Sequence, residues 1–221
     1  MIDFAEARRM MVDGQVRTVD VTDQRILAAM LEIPREKFVP NDRAALAYLD
    51  RDVPVTAPGP AQRCLLKPMV LAKLVQAAEI GPQDLILDVG CASGYSAALL
   101  SRLGDSVVAL EEDPDLVRTA NETLDAVGAT NVAVVAGPLP AGWPSEGPYD
   151  VIVVAGAIEV EPEALCAQLK HRGRLVCVRR SGAVSKAMLY RRDHEDVSGW
   201  PIFDAAAPLL PGFAKTPEFV F

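Results

Sequence analysis

The stretch LILDVGCASGYSAALL, residues 85–100, predicts a strand, a tight turn and the start of a helix. A short apolar run reaches Asp88, and the small residues Gly90, Ala92 and Gly94 then occupy alternate positions. Because glycine has no side chain and accepts unusual dihedral angles, such a turn lets a ligand approach the backbone closely. Free N–H groups at the start of the helix face the same place. The stretch therefore indicates a nucleotide-type ligand site.

The spacing of the small residues distinguishes between two kinds of ligand. A dinucleotide fold requires Gly-x-Gly-x-x-Gly, and the third place counted from Gly90 is Tyr95. The strand carries an acid, Asp88, which repels a pyrophosphate but suits the amino group and sulfonium of S-adenosylmethionine. Glu111 ends the next predicted strand, where a carboxylate accepts hydrogen bonds from both ribose hydroxyls. Together these features predict an S-adenosylmethionine site; the alternative is a turn that needs glycine for packing, beside an ordinary surface acid.

Strand and helix patterns alternate over most of the remaining chain. Predicted strands cover 85–89, 106–111, 131–136, 149–155 and 174–179, and predicted helices lie near 94–103, 114–127 and 161–170. Such alternation is typical of an α/β fold with a mainly parallel, Rossmann-like central sheet and helices on both faces. Two further strand-like runs, 185–192 and 202–207, have no helix between them and predict an antiparallel edge. Residues 137–149 are expected to form a loop.

The first 80 residues have a different pattern. Helices are predicted over 3–14, from Thr22 or Asp23 to Pro34, weakly over 41–49, and over 69–80. The segment 52–68 contains Pro54, Pro58, Pro60 and Pro68, so no regular structure is expected there, yet it is long for a simple connector. We therefore expect one domain over 1–221, in which 1–80 provide N-terminal helices and a substrate-side loop, and 81–221 form the cofactor-binding core.

Composition limits the classes of partner. The 221 residues are 50% hydrophobic, as expected for a compact globule, and no apolar run approaches the ~18 residues of a membrane span. A net charge of −8 argues against a sequence-independent hold on nucleic acid. The N-terminus mixes charged and apolar residues and does not resemble a secretory signal. A cytoplasmic protein is expected.

The spacing of the cysteines and histidines in the sequence does not match a metal-binding motif. The cysteines are Cys64, Cys91, Cys166 and Cys177, none at metal-ligand spacing from another. His171 and His194 lie near no cysteine pair. We predict reduced, mostly buried thiols and no metal site.

The order of several sequence blocks resembles the protein-L-isoaspartate O-methyltransferase family, whose members methylate the abnormal β-aspartyl carboxylate of damaged proteins. The similarity extends over nearly the full chain. It rests on MVDGQVR at 11–17, DQRILAAMLEIPREKFVP at 23–40, AYLDRDVPV at 47–55, GWP at 142–144, PYDVIVVAGA at 148–157, PEALCAQLKHRGRLVCV at 162–178 and FDAAAPLLPG at 203–212. The resemblance implies S-adenosyl-L-methionine as cofactor, S-adenosylhomocysteine as product and isoaspartyl proteins or peptides as substrates, with no nucleic acid, membrane or metal.

The substrate loop departs from the family pattern. The family carries Gly-Gln-Thr-Ile-Ser-x-Pro there, with the serine at the active centre. With its proline aligned on Pro68, the serine position is Leu66, the threonine position Cys64 and the glutamine position Arg63. These three are the candidate catalytic residues, although leucine donates no hydrogen bond to a substrate carboxylate. Arg63 is able to pair with a carboxylate, but an arginine in an exposed loop is more often solvated.

A second departure follows the third predicted strand. The family has Gly-Asp-Gly, whose aspartate accepts from the adenine amine, where this chain has Gly137, Pro138 and Leu139. Losing that bond costs about 0.5–1.5 kcal/mol, or up to ~3 kcal/mol if the amine stays buried and unpaired. The candidate cofactor-binding residues are Asp88, Gly90, Ala92, Gly94, Glu111, Gly137 and Leu139.

Three interpretations remain open from the sequence. The first is a divergent isoaspartate methyltransferase, and the second is an S-adenosylmethionine-dependent methyltransferase with another substrate. The third is a non-catalytic family member that acts as a binding protein. Asp88 and Glu111 argue against the third, and Leu66 and Pro138 argue for it.

Overall fold

A computed structural model describes residues 2–59 and 62–215, so that Pro60 of the predicted loop lies outside the described residues. Its central element is a seven-stranded sheet in the order β5-β4-β3-β6-β7-β8-β9. The strands are β3 (Leu85–Val89), β4 (Ser106–Glu111), β5 (Val132–Ala136), β6 (Tyr149–Ile158), β7 (Leu169–Ser181), β8 (Val184–Asp193) and β9 (Asp196–Asp204). From β5 to β7 all pairs are parallel, and β7–β8 and β8–β9 are antiparallel. The predicted α/β class and antiparallel edge are confirmed.

The described part of the chain also contains six α-helices and a small hairpin. The helices are α1 (Phe4–Met11), α2 (Gln24–Glu32), α3 (Pro68–Ala77), α4 (Tyr95–Leu100), α5 (Pro114–Ala126) and α6 (Glu163–Cys166). Strands β1 (Val53–Pro54) and β2 (Cys64–Leu65) pair antiparallel. None of the described helices is both long and apolar enough to cross a membrane.

The sheet separates two hydrophobic clusters, because successive side chains of a strand point to opposite faces. In β3, Ile86 belongs to one cluster, and Leu87 and Val89 belong to the other. The first cluster includes the N-terminal helices together with α4 and α5. The second is covered by α6, the loop after β5 and the closing segment, which we define as residues 208–213. The carboxyl ends of β3, β4 and β6 therefore meet between two covers that come from distant parts of the chain.

The structure corrects the predicted helix over 161–170. Only Glu163–Cys166 is helical, and β7 already begins at Leu169. Leu169 pairs with Tyr149 of β6, and both side chains are buried. Burial against the neighbouring strand thus overrides the helical pattern of this segment. The predicted strand 202–207 likewise lies too late, since β9 spans Asp196–Asp204 after a turn in which His194 has φ +55°.

Three predictions in the first 68 residues also change. The first helix does not end at Gly14, because α1 continues into a π-helical turn over Val12–Val16. The weak helix over 41–49 is a 3₁₀ segment, Asn41–Leu46. The proline-rich segment contains the β1–β2 hairpin, in which the proline of β1 stands in a two-residue edge strand that tolerates it. The predicted cap of α2 is confirmed at Asp23, which accepts from the Arg25 amide.

Candidate cofactor site

The site is built around Asp88, which lies near the carboxyl end of β3 and is fully buried. Its Oδ2 accepts a hydrogen bond of 2.6 Å from the Ser96 hydroxyl on α4. Its Oδ1 is buried and has no partner among the described residues. Burial raises the pKa of Asp88 to about 7, against the opposing effect of the Ser96 bond. A buried carboxyl oxygen without a donor is the position at which a ligand ammonium group would be accepted.

The small-residue turn adopts the backbone conformation that its sequence predicts. Gly90, Ala92 and Gly94 have φ angles of +80°, +51° and +97°. Gly94 stands where a Cβ would lie 3.2 Å from Leu124 Cγ, and α4 begins at the next residue. Ala92 is the one non-glycine in this left-handed series, and such a residue carries strain of order 1 kcal/mol. The turn is therefore held by its surroundings.

Glu111 ends β4 and is fully buried. Its Oε2 accepts from the Ala92 amide at 2.8 Å, which ties the strained turn to this strand. Its Oε1 accepts from the amides of Glu112 at 2.9 Å and Asp113 at 3.3 Å. The carboxylate is therefore at the predicted place, and backbone N–H groups fix its orientation.

The structure buries Arg63, whereas an arginine of an exposed loop is usually solvated. Its side chain is 3% exposed, and its Nη2 lies 2.9 Å from Glu111 Oε2 and 3.0 Å from the Gly90 carbonyl oxygen. Its Nη1 is buried without a hydrogen-bond partner in the described part of the chain. Arg63 thus forms an ion pair with the acid that was predicted to bind the ribose.

The closing segment approaches the same place from the other side. It is held against β6 by bonds from Ala157 N–H to the Pro208 carbonyl at 2.7 Å and from Leu210 N–H to the Ala157 carbonyl at 2.9 Å. Leu210 is buried, and its methyl carbons lie 3.1 Å from the position that a Cβ on Gly90 would take. No local pattern in the sequence predicts this contact, because the two residues are 120 positions apart.

Two spaces adjoin these side chains. The inner space, lined among others by Gly90, Ala92 and Ser96, has a cavity volume of about 10 Å³. The outer cleft, lined by Arg63, residues 111–114 and Pro211, has about 370 Å³. Arg63 lines the outer cleft and also reaches Gly90 of the inner space. A drug-sized ligand occupies roughly 300–1,000 Å³, so the outer cleft is large enough and the inner space is closed.

The residues fit S-adenosylmethionine in kind and position. The buried, unpaired Oδ1 of Asp88 matches an ammonium group, the turn offers a close backbone approach at Gly90, and Glu111 matches a ribose. The space beside Gly90 is filled by side chains of this chain, Arg63 and Leu210. The site therefore has the binding groups of a cofactor site in a closed form.

The substrate-side candidates Leu66 and Cys64 make contacts in the protein interior. Leu66 is 3% exposed and belongs to the core, and its carbonyl accepts from Arg35 Nη2 at 2.7 Å. Cys64 is half-buried, and burial raises the pKa of its thiol, which therefore stays neutral near pH 7. Neither side chain offers a strong hydrogen-bond donor. The hairpin presents an apolar wall to the inner space, which both residues line.

The adenine-side candidates follow β5. Gly137 donates its N–H to the Glu111 carbonyl at 3.0 Å, and a Cβ on it would lie 3.2 Å from the Trp143 ring. Leu139 is fully buried and begins a 3₁₀ turn. Pro138 supplies no N–H and no carboxylate at this point.

The two histidines of the chain meet far from this site, at the β8–β9 turn. Their rings stack with centroids 4.4 Å apart, and Asp193 Oδ1 lies 3.5 Å from His171 Nδ1. All three residues are exposed. One possible ligand atom from each residue lies within 4.8 Å of the others, so the cluster has the side chains of a cation site, which the sequence did not predict.

Comparisons with known proteins agree on one family. The model of the family "Protein-L-isoaspartate(D-aspartate) O-methyltransferase (PCMT)" matches residues 6–199. A protein-L-isoaspartate O-methyltransferase of Methanoculleus marisnigri is 41% identical over 169 residues, which are 76% of this chain and 75% of that protein. Another, of Methylorubrum extorquens, is 42% identical over 174 residues, 79% of this chain and 74% of that protein.

Two solved structures share the fold. One protein-L-isoaspartate O-methyltransferase superposes with a TM-score of 0.79 at 25% identity, covering 94% of this chain and 65% of its own. A β-aspartate methyltransferase of Plasmodium falciparum, in complex with S-adenosyl-L-homocysteine, gives a TM-score of 0.77 over 95% of this chain and 99% of its own. The second is 17% identical and speaks for the fold alone.

Proposed function

Because the chain belongs to the protein-L-isoaspartate(D-aspartate) O-methyltransferase family, we propose that it transfers a methyl group to the isoaspartyl carboxylate of damaged proteins. S-adenosyl-L-methionine is the cofactor of this family, and the fold is that of the methyltransferases that use it. The observation that carries the proposal is the buried Asp88 carboxyl, with one unpaired oxygen, at the same sheet edge as Glu111.

The proposed cofactor contacts follow from this geometry. Asp88 accepts hydrogen bonds from the ammonium group of S-adenosyl-L-methionine. The turn from Gly90 to Gly94 lies along the amino-acid part of the cofactor. Glu111 accepts a hydrogen bond from a ribose hydroxyl of the cofactor. Gly137 and Leu139 lie beside the adenine, which receives no hydrogen bond from Pro138. The bound cofactor supplies a methyl group on a positively charged sulfur.

The acceptor needs little chemical help. Its carboxylate has a pKa near ~4 and is ionised at neutral pH, so that no general base is required. Leu66 and Cys64 then contribute by the shape of the apolar wall, which aligns the reacting groups. They also exclude water from the site. We assign the substrate side to residues 1–80 and the cofactor side to 81–221.

Methanol release tests the reaction, because the methyl ester of an isoaspartyl residue is labile. The chain is incubated with S-adenosyl-L-methionine and an isoaspartyl peptide, and a peptide with ordinary aspartate at the same position is the matched control. We expect methanol from the first peptide alone. Calorimetric binding of S-adenosylhomocysteine without methanol from either peptide would contradict the proposed reaction and would leave a different methyl acceptor or a non-catalytic binding protein.

The proposed location is the cytoplasm, with isoaspartyl proteins or peptides as partners. Four free cysteines, three of them buried, agree with a reducing compartment. Fractionation of cells, with the chain followed by an antibody, tests the location. Recovery in a secreted fraction would contradict it.

A further inference from the structure

Arg63 stands at the boundary between the outer cleft and the inner space. Its guanidinium is withdrawn from water and bridges two parts of the cofactor site, Glu111 Oε2 at 2.9 Å and the Gly90 carbonyl at 3.0 Å. A Cβ on Gly90 would lie 2.9 Å from its Nη2. Close approach to Gly90 is thus available to a ligand only where the guanidinium is absent.

Glu111 has no free acceptor position while Arg63 is in place. A carboxylate offers about four lone-pair sites, and four N–H groups bond to this one, two on each oxygen. Three of the donors are backbone amides that form the turn and the start of α5. Arg63 is the one side-chain donor to this carboxylate among the residues that the structure describes. A ribose hydroxyl can therefore donate a hydrogen bond to Glu111 Oε2 only if the Arg63 guanidinium no longer does so.

The backbone of Arg63 is anchored independently of its side chain. Its N–H donates to Thr56 Oγ1 at 2.9 Å, and its carbonyl accepts from the Val55 amide at 2.8 Å. Release of the guanidinium consequently requires rotation of the side chain and no movement of the hairpin. Its destination is the outer cleft, where the exposed carboxylate of Glu112 also lines the wall.

The closed arrangement is also imperfect. Nη1 is buried without a partner in the described ranges, and an unpaired buried donor destabilises the form that contains it. In the open form water solvates the guanidinium. A ligand that takes over Oε2 thus competes with an ion pair that is partly weakened already.

We propose that Arg63 is an internal competitor of the cofactor: it closes the site by pairing with Glu111 and swings into the outer cleft when the cofactor binds. This inference rests on the proposed cofactor site. Part of the binding free energy is used to open the site, so that affinity is lower than the contacts of Asp88 and Glu111 alone would give. The chain thereby holds its cofactor site shut, with Glu111 fully paired, until a ligand arrives.

Calorimetry with S-adenosylhomocysteine tests the competition without any reaction. The variants are Arg63→Gln, which removes the cation, and Arg51→Gln, a matched loss of charge at an exposed position. The charged hydrogen bond between Arg63 and Glu111, which the ligand must break, contributes about 1.5–3 kcal/mol. Without it we expect roughly tenfold to hundredfold tighter binding for Arg63→Gln. Arg51→Gln should bind like the unchanged chain.

Three results have distinct meanings. Tighter binding by Arg63→Gln alone supports the proposal. Equal or weaker binding by Arg63→Gln, with the unchanged chain still binding, overturns the competition and leaves the proposed function standing. Absence of binding in both forms at millimolar ligand overturns the cofactor site itself, and with it the competition.

A measurement on the unchanged chain covers the case in which Arg63→Gln does not fold. In the closed form the guanidinium protons of Arg63 are buried and bonded, so their nuclear magnetic resonance signal should exchange slowly with water. Addition of S-adenosylhomocysteine should speed this exchange. Continued protection of the signal in the saturated complex would contradict the release of Arg63.

Discussion

At the scale of single residues, Asp88 shows which of two effects dominates in this site. The Ser96 hydroxyl and the Arg63 guanidinium both lower its pKa, whereas burial and the charge of Glu111 raise it. Burial is the largest contribution, so the net pKa is about 7. The carboxyl therefore changes its charge in the physiological range, and an ammonium ligand binds to the ionised form.

The same shift predicts a pH-dependent stability. Because the folded pKa lies above the unfolded value of ~3.9, Asp88 favours the folded state below that value, and this contribution is lost as pH rises through about 7. Asp88→Asn removes the effect and keeps the side-chain volume. Urea unfolding from pH 5 to 8 should show the variant gaining about 1.4 kcal/mol per pH unit relative to the unchanged chain, up to pH ~7.

The control for this experiment is Asp125→Asn, an exposed change on α5. It should follow the unchanged chain at every pH. If the stability difference between Asp88→Asn and the unchanged chain were constant over the range, Asp88 would not be protonated in the folded state near neutral pH.

Site residues differ in how far sequence determines them. Asp88 and Glu111 each end an apolar run, and parallel strands bring such ends together, so the pattern places both correctly. The burial of Arg63 depends on the register of a two-residue hairpin and on a partner 48 residues away. Leu210 reaches Gly90 through the closing segment, which has no periodic pattern. The positions of Arg63 and Leu210, which close the site, therefore cannot be inferred from local sequence patterns.

At the scale of elements, a buried cation organises the N-terminal part. Arg35 donates from Nε to the Ala47 carbonyl and from Nη2 to the Leu66 carbonyl, both at 2.7 Å. Its guanidinium also lies 4.5 Å from the centroid of the Tyr95 ring. One side chain thus joins Ala47 after the 3₁₀ segment, Leu66 after the hairpin and Tyr95 of α4, next to the site.

Arg35→Met tests this connection. The substitution keeps an unbranched apolar side chain but leaves two buried carbonyls without a donor, so we expect a loss of about 2–5 kcal/mol in the free energy of unfolding. Arg51→Met, at the exposed neighbour of the loop, should change stability by less than about 0.5 kcal/mol. Hydrogen exchange should also quicken at the Val55 amide, which bonds across the hairpin to the Arg63 carbonyl. A loss below about 1 kcal/mol, within the range of ordinary substitutions, would contradict the role of Arg35.

At the scale of the whole molecule, the two faces of the sheet are covered unequally. The face that carries Ile86 packs against the N-terminal helices, α4 and α5, all in one large cluster. The face that carries Leu87 is covered by the four-residue α6, the loop after β5 and the closing segment. The thinner cover reaches the cofactor site through Leu210, so stability of that face and closure of the site depend on the same few residues.

Phe213 anchors this thinner cover. Its side chain is 1% exposed in the second cluster, and its carbonyl accepts from the Glu159 amide at 3.0 Å. Phe213→Ala should lower the free energy of unfolding by about 3–5 kcal/mol, measured with urea. Val184→Ala, at the exposed start of β8, should have little effect. Because the closing segment bonds to β6 through Ala157 and Leu210, their amide exchange should quicken more in Phe213→Ala than that of Ile86 in the central strand. Equal acceleration at all three amides would mean that the face opens only with the whole molecule, and that Leu210 cannot leave Gly90 separately to admit a ligand.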